Sequence, residues 1–182
     1  MVLIMLLAAC GGGDLVETAS ADLNLSAADL GGGYSLSDEQ GYDEVTAGMD
    51  AAEADDATDA SLRMFSTPDG MGIVMGIVIN FTSVSTAKTN MRDVLDGFEE
   101  GLTEGISGVT VEELDAPNLG EDAVLSKATI TDDSLGGMTF NVYLVGFRHL
   151  NVISVAAVFG LEDFATEDLV MELGEKLEAK LK

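Results

Sequence analysis

The stretch Met71–Phe81 constrains the fold of this chain more than any other. Its odd positions, Met71, Ile73, Met75, Ile77, Ile79 and Phe81, are all large and apolar; its even positions, Gly72, Val74, Gly76, Val78 and Asn80, are mostly small. A strand apolar on both faces has to be covered on both, which puts it centrally in a sheet. The glycines leave one face open to close approach, most simply by a helix. Ser61–Ser66 reads as the strand before it. Between them Thr67-Pro68-Asp69-Gly70 is a turn in which proline presets φ and glycine accepts a positive value.

The expected helix follows at once. Ser83 or Ser85 can cap it, and Ala87, Met91, Val94, Leu95, Phe98 and Leu102 fall at three- and four-residue spacing, with Gly101 and Gly105 weakening its end. Short strands recur at Val109–Glu113 and Ala123–Thr131, and Asp132–Gly137 turns the chain. Met138–Phe147 is a long strand, and Arg148-His149-Leu150-Asn151 is a tight turn into Val152–Phe159, which predicts an antiparallel hairpin. The chain ends in a helix capped by Thr166, with Leu169, Val170, Leu173, Leu177 and Leu181 as its buried stripe. Glu172–Lys176 and Glu178–Lys182 are its i, i+4 pairs. This order predicts an α+β fold, an antiparallel β-sheet with two main helices packed on it in layers.

The N-terminus answers a different question, that of location. Met1-Val2-Leu3-Ile4-Met5-Leu6 is an apolar run closed by Leu7-Ala8-Ala9-Cys10, which holds the sole cysteine. The pattern resembles the lipobox of prokaryotic lipoproteins. That resemblance implies cleavage before Cys10, diacylation of its sulfur and an extracytoplasmic domain held to the cell membrane by lipid. A secretory signal also carries a basic region before its apolar run, and no Lys or Arg precedes Arg63, so the start reads as truncated. The expected organisation is a signal peptide at 1–9, lipidated Cys10 with a flexible linker to residue 26, an acidic, loosely ordered segment over 27–60, and the α+β domain over 61–182. A run this short falls well below the ~20 apolar residues that span a bilayer.

Charge excludes some partners. The 182 residues carry 33 Asp plus Glu against 8 Lys plus Arg, a formal net charge of −25. Phosphate backbones bind clustered Lys and Arg, so nucleic acid is not expected as a partner. With Cys10 acylated, no disulfide or cysteine metal site remains.

Candidate chemistry is thin. His149 is the sole histidine, no G-x-S-x-G elbow presents a serine, and zinc lacks ligands. The acids Asp50, Glu53, Asp55, Asp56 and Asp59 lack the spacing of a calcium loop and read as a solvated loop. Glu99-Glu100 and Glu112-Glu113 are adjacent, so neither pair faces itself across a site. Met64, Met71 and Met75 could be imagined around copper(I), but core filling is the simpler reading of Met71 and Met75. No cofactor, no metal and no catalytic residue is expected.

The element order, the run Asn118-Leu119-Gly120-Glu121-Asp122-Ala123 and the hairpin from Phe147-Arg148 to Asn151 together resemble PsbP/Mog1-type domains and mycobacterial cell-envelope lipoproteins of layered build, over roughly residues 61–182. The resemblance implies a non-catalytic accessory or adaptor module. The expected function is thus a membrane-anchored cell-envelope lipoprotein with a binding or scaffolding domain, whose partner is an envelope protein. The alternative is a carrier of an apolar small ligand or lipid between helix and sheet, cued by the open face at Gly72 and Gly76.

Overall fold

A computed structural model of the protein describes residues 15–49, 51–103, 109–132 and 137–182. In chain order its elements are α1 (Ser20–Leu23), α2 (Ala27–Leu30), β1 (Ser35–Gln40), α3 (Tyr42–Thr46), α4 (Ala51–Asp56), β2 (Ala57–Ser66), β3 (Gly72–Phe81), α5 (Val84–Thr103), β4 (Thr110–Glu113), β5 (Glu121–Asp132), β6 (Met138–His149), β7 (Val152–Leu161) and α6 (Glu167–Leu181). The seven strands form one sheet in the order β1-β2-β3-β7-β6-β5-β4, with every neighbouring pair antiparallel. The fold is of the α+β class.

β3 is interior, paired with β2 on one side and β7 on the other. Its turn forms as its residues dictate: Gly70 has φ 70° and donates its N–H to the Thr67 carbonyl at 2.9 Å. The even residues Val74 and Val78 pack with Val145, Phe147, Val152, Ala156 and Val158, and with Val170, Leu173, Leu177 and Leu181 of α6. The odd residues Ile77 and Ile79 pack with Ile153, Val155 and Ala157, and with Ala87, Met91 and Leu95 of α5. Side chains alternate across a strand, so α5 and α6 cover opposite faces of the sheet.

That arrangement corrects the expectation that α5 covers the glycine face of β3. Gly76 is closed by Asn24 and Leu25, and Gly72 by the ring of Phe164. α5 finds its close approach elsewhere, where Leu95 rests on Gly146 of β6. With both sides of β3 apolar, the pattern cannot say which side the next helix takes.

Two other expectations shift. From residue 20 the supposed linker is packed: Ser20, Leu23, Asn24 and Leu25 are buried, and Leu23 and Leu25 join the α6-side core. The acidic segment 27–60 holds α2, β1, α3 and α4 and the start of β2, so Asp55 and Asp56 end a helix and Asp59 lies on a strand rather than in a loop. The reason is edge pairing, since β1 adds to β2 through Ser35↔Ser66 to Gln40↔Leu62 with a bulge at Leu36/Asp38.

The β6–β7 hairpin is tighter than expected. His149 pairs with Val152 and Arg148 with Ile153, which leaves Leu150-Asn151 as a two-residue turn. Leu150 accepts φ 53° at the first turn position, where type II′ hairpins favour glycine. Helix α6 starts where the sequence indicates: the Thr166 hydroxyl accepts the Leu169 N–H at 3.3 Å. Its pairs Glu172–Lys176 and Glu178–Lys182 close at 2.6 and 2.8 Å.

Candidate functional site: the N-terminal clasp

The densest polar construction in the described residues is the grip on residues 16–30. At its start the Asn151 side chain reads both backbone groups of Val16, its Oδ1 accepting the Val16 N–H at 2.7 Å and its Nδ2 donating to the Val16 carbonyl at 3.3 Å. The same Nδ2 donates to the Phe81 carbonyl at 3.0 Å, which ties the hairpin turn to the end of β3. Asn80 donates to the Thr18 carbonyl at 2.9 Å, and the Asp59 carboxylate accepts the Ser20 N–H at 2.7 Å.

Asn24 is the pivot. It is wholly buried, its Nδ2 lies 3.0 Å from the Ser61 carbonyl, the Ser61 hydroxyl and the Gly76 carbonyl, and its Oδ1 accepts the Leu25 N–H. Such a buried amide is stable only because its donors and acceptor are all matched. The lack of a side chain at Gly76 is what admits it. Further along, Arg63 donates to the carbonyls of Ala21 and Leu25, Lys180 to the carbonyl of Asn24, and Lys176 to that of Asp29. Three of the 8 Lys and Arg residues are thus committed to backbone carbonyls of one short stretch.

Asp29 joins both systems. It accepts from Lys180 at 2.7 Å and from the Ser26 N–H at 2.7 Å, closing a capping box on α2. Burial alone would raise its pKa; the hydrogen bonds from Lys180 and Ser26, with the Lys180 charge, outweigh burial and hold the carboxyl below its ordinary value.

Beside the clasp, the two segments 118–123 and 147–151 meet. Arg148, 3% exposed, donates to Asp122 at 2.9 Å, to the Leu150 carbonyl at 2.9 Å, and pairs with Glu121. Asp122 and Leu150 both hold positive φ, 54° and 53°, which side chains seldom adopt. Gly120 lies so close to the Arg148 carbonyl that a Cβ would sit 2.6 Å from it. Its N–H donates to Glu178 at 2.9 Å. Lys182 and this N–H together hold the Glu178 carboxyl below its usual pKa, against the opposing effect of burial. The cluster locks the strand β5, the hairpin and α6 together at one end of the sheet.

The residues singled out from sequence are scattered. Cys10 and the run 7–10 lie outside the described residues, as do Asp50, Gly105 and Asp133. His149 is half-buried at the end of β6, near the Glu178 carboxylate, and makes no hydrogen bond to a serine among the described residues. Asp59 is occupied with Ser20 and Ala60 N–H groups. Among the described residues, no three His, Cys, Asp or Glu side chains group as metal ligands. Met64 and Met75 do face each other across β2 and β3, but Met71 lies outside the strand and is 45% exposed, which corrects its assignment to the core. The clasp itself went unforeseen, because the partners of Asn24 and Asn151 lie far from them along the chain.

A groove of about 210 Å³ lies between α5 and the strands β4 and β5, lined by Arg92, Leu95, Asp96, Val111, Glu113, Val124 and Ser126. Arg92 crosses it, reaching Asp96 at 3.2 Å and Glu113 at 3.5 Å. No described helix is long and apolar enough to cross a membrane.

No protein family matches this chain, and no curated protein matches it in sequence. In fold it is similar to the extracellular domain of PknH from Mycobacterium tuberculosis, with a TM-score of 0.64 over 94% of this chain and 98% of that one. The two are 11% identical, so the likeness is one of fold alone.

Proposed function

We propose that the chain is a membrane-anchored cell-envelope lipoprotein whose extracytoplasmic domain binds or scaffolds a partner and catalyses nothing. The observation that carries this reading is the conjunction of the lipobox-like run 7–10 with a domain whose fold resembles an extracellular domain over nearly its whole length. The antiparallel sheet between helices supports the likeness to PsbP/Mog1-type modules. The polar groups of the clasp are engaged in holding backbone, which suits a structural role better than a reacting one. The alternative of an apolar-ligand carrier is weakened at its own cue. The face of Gly72 and Gly76 is filled by Phe164, Asn24 and Leu25. The groove beside β4 is crossed by an arginine and is smaller than the ~300 Å³ of ordinary ligand pockets.

The test is lipidation. Two acyl chains at about 0.8 kcal/mol per buried CH₂ anchor a protein stably. Expressed behind a complete signal, the wild type is expected in the membrane fraction with acyl mass on Cys10, and Cys10→Ser in the soluble fraction. A wild type that is soluble and unacylated contradicts the reading.

A further inference from the structure

We infer that the end of the sheet bearing the β6–β7 turn faces the zwitterionic headgroup layer of the bilayer, and that the opposite end points away from it; this rests on the acylation of Cys10 proposed above. The tether decides the orientation. Asn151 fixes both backbone groups of Val16 at the hairpin turn. From Cys10 to Val16 there are six residue steps, which reach at most about 20 Å whatever their path. A linker running to residue 26 would have left the domain free to tumble. The sheet itself is longer than this reach: Asn80 pairs with Val152 beside the clasp and Gly72 with Gly160 at the far end. Those eight steps of strand span about 26 Å.

Charge does not separate the two ends. Around the clasp Glu121 and Asp122 are matched by Arg148 and Glu178 by Lys182, but Glu17, Asp55 and Asp56 are also exposed there, the Asp56 carbonyl accepting the Thr82 N–H. At the far end Asp69, Glu162 and Asp163 are exposed, and the segments 67–72 and 161–166 that carry them contain no Lys or Arg. Acids are thus exposed at both ends, and the short tether alone sets the orientation.

The orientation is read by energy transfer on full-length acylated protein in phosphatidylcholine vesicles. Acylation consumes the Cys10 sulfur, so Thr82→Cys or Pro68→Cys supplies a single thiol for a donor dye. Thr82 is exposed and follows Phe81 at the clasp end; Pro68 is exposed in the far turn. With acceptor dye on the headgroups, severalfold greater transfer is expected from Thr82 than from Pro68. Lys182→Cys and Asp163→Cys form a second pair should a first variant misfold, with the same order expected. Equal transfer, or greater transfer from the far end, on protein whose Cys10 is acylated by mass spectrometry overturns the orientation alone. An unacylated Cys10 overturns the anchor, and the orientation with it. Inserting about 20 Gly and Ser residues after Gly13, which lengthens the reach several-fold, is expected to abolish the difference; a difference that persists overturns the tether as its cause.

Discussion

The two faces of the sheet are held by different physics. On one, α5 lies along Ile77, Ile79, Ile153, Val155 and Ala157 through Ala87, Met91 and Leu95, an apolar contact, and α5 also buries the Asn90 side chain. On the other, α6 makes a similar apolar contact, but it shares the face with residues 16–30, which have only two four-residue helices of their own. A long amphipathic helix satisfies its own backbone and needs only apolar burial to dock. A short irregular stretch brings unpaired N–H and C=O groups into the core, and each must find a partner there. Asn24, Asn80, Asn151, Arg63, Lys176 and Lys180 are those partners. The lesson is that in a chain this acidic, scarce cations are placed where backbone carbonyls need them.

If the α5 face depends on apolar burial alone, it should respond to lost volume. Ile77 is 7% exposed, packed under α5. Ile77→Ala is expected to lower unfolding free energy by about 2–5 kcal/mol in denaturant titration. A cost under about 1 kcal/mol would mean that the face tolerates loose packing. The clasp face should respond instead to small intrusions. At Gly76 a methyl group would overlap Asn24 Oδ1 and press on Leu25 at 3.1 Å. Gly76→Ala is expected to cost about 1–3 kcal/mol and to open residues 16–30 to protease before the rest of the domain. A stable variant with protected N-terminal cleavage sites would show that Asn24 can yield.

A smaller effect separates the faces by pH. The Asp29 carboxyl has a pKa held below its ordinary value, against burial, by Lys180 and Ser26. A lowered folded-state pKa contributes stability that is complete above the unfolded value of about 3.9 and disappears as pH falls through the folded one. Asp29→Asn should therefore be less stable than wild type at about pH 7, with the gap narrowing toward about pH 3. A gap of constant size across that range would mean that the carboxylate charge contributes nothing to the clasp.

How much of this was legible in the sequence follows from the same contrast. β3 could be read because its alternation is local, and α6 because Thr166 and a stripe of leucines lie within one helix. The α+β class with an antiparallel sheet followed from element order. Residues 20–25, Ser-Ala-Asp-Leu-Asn-Leu, are too few to display a period, and their partners lie at 59, 61, 63, 76 and 180. Nothing within the stretch distinguishes it from a linker. Lys180 reads as a residue near the negative end of a helix dipole, and its second role, binding the Asn24 carbonyl, exists only in the folded chain. The positive φ of Asp122 and Leu150 had no local signal either, because Arg148 and the hairpin impose it from outside.

The central claim is that residues 15–26 belong to the folded domain and are not its tether. The direct measurement compares equilibrium unfolding of two truncated chains, one starting at residue 15 and one at residue 27. Loss of Leu23 and Leu25 from the core alone predicts that the shorter chain is less stable by about 3–6 kcal/mol, with Ser61 and the Gly76 carbonyl left without Asn24. Equal stability of the two chains, within about 0.5 kcal/mol, would contradict the account and return this stretch to the linker.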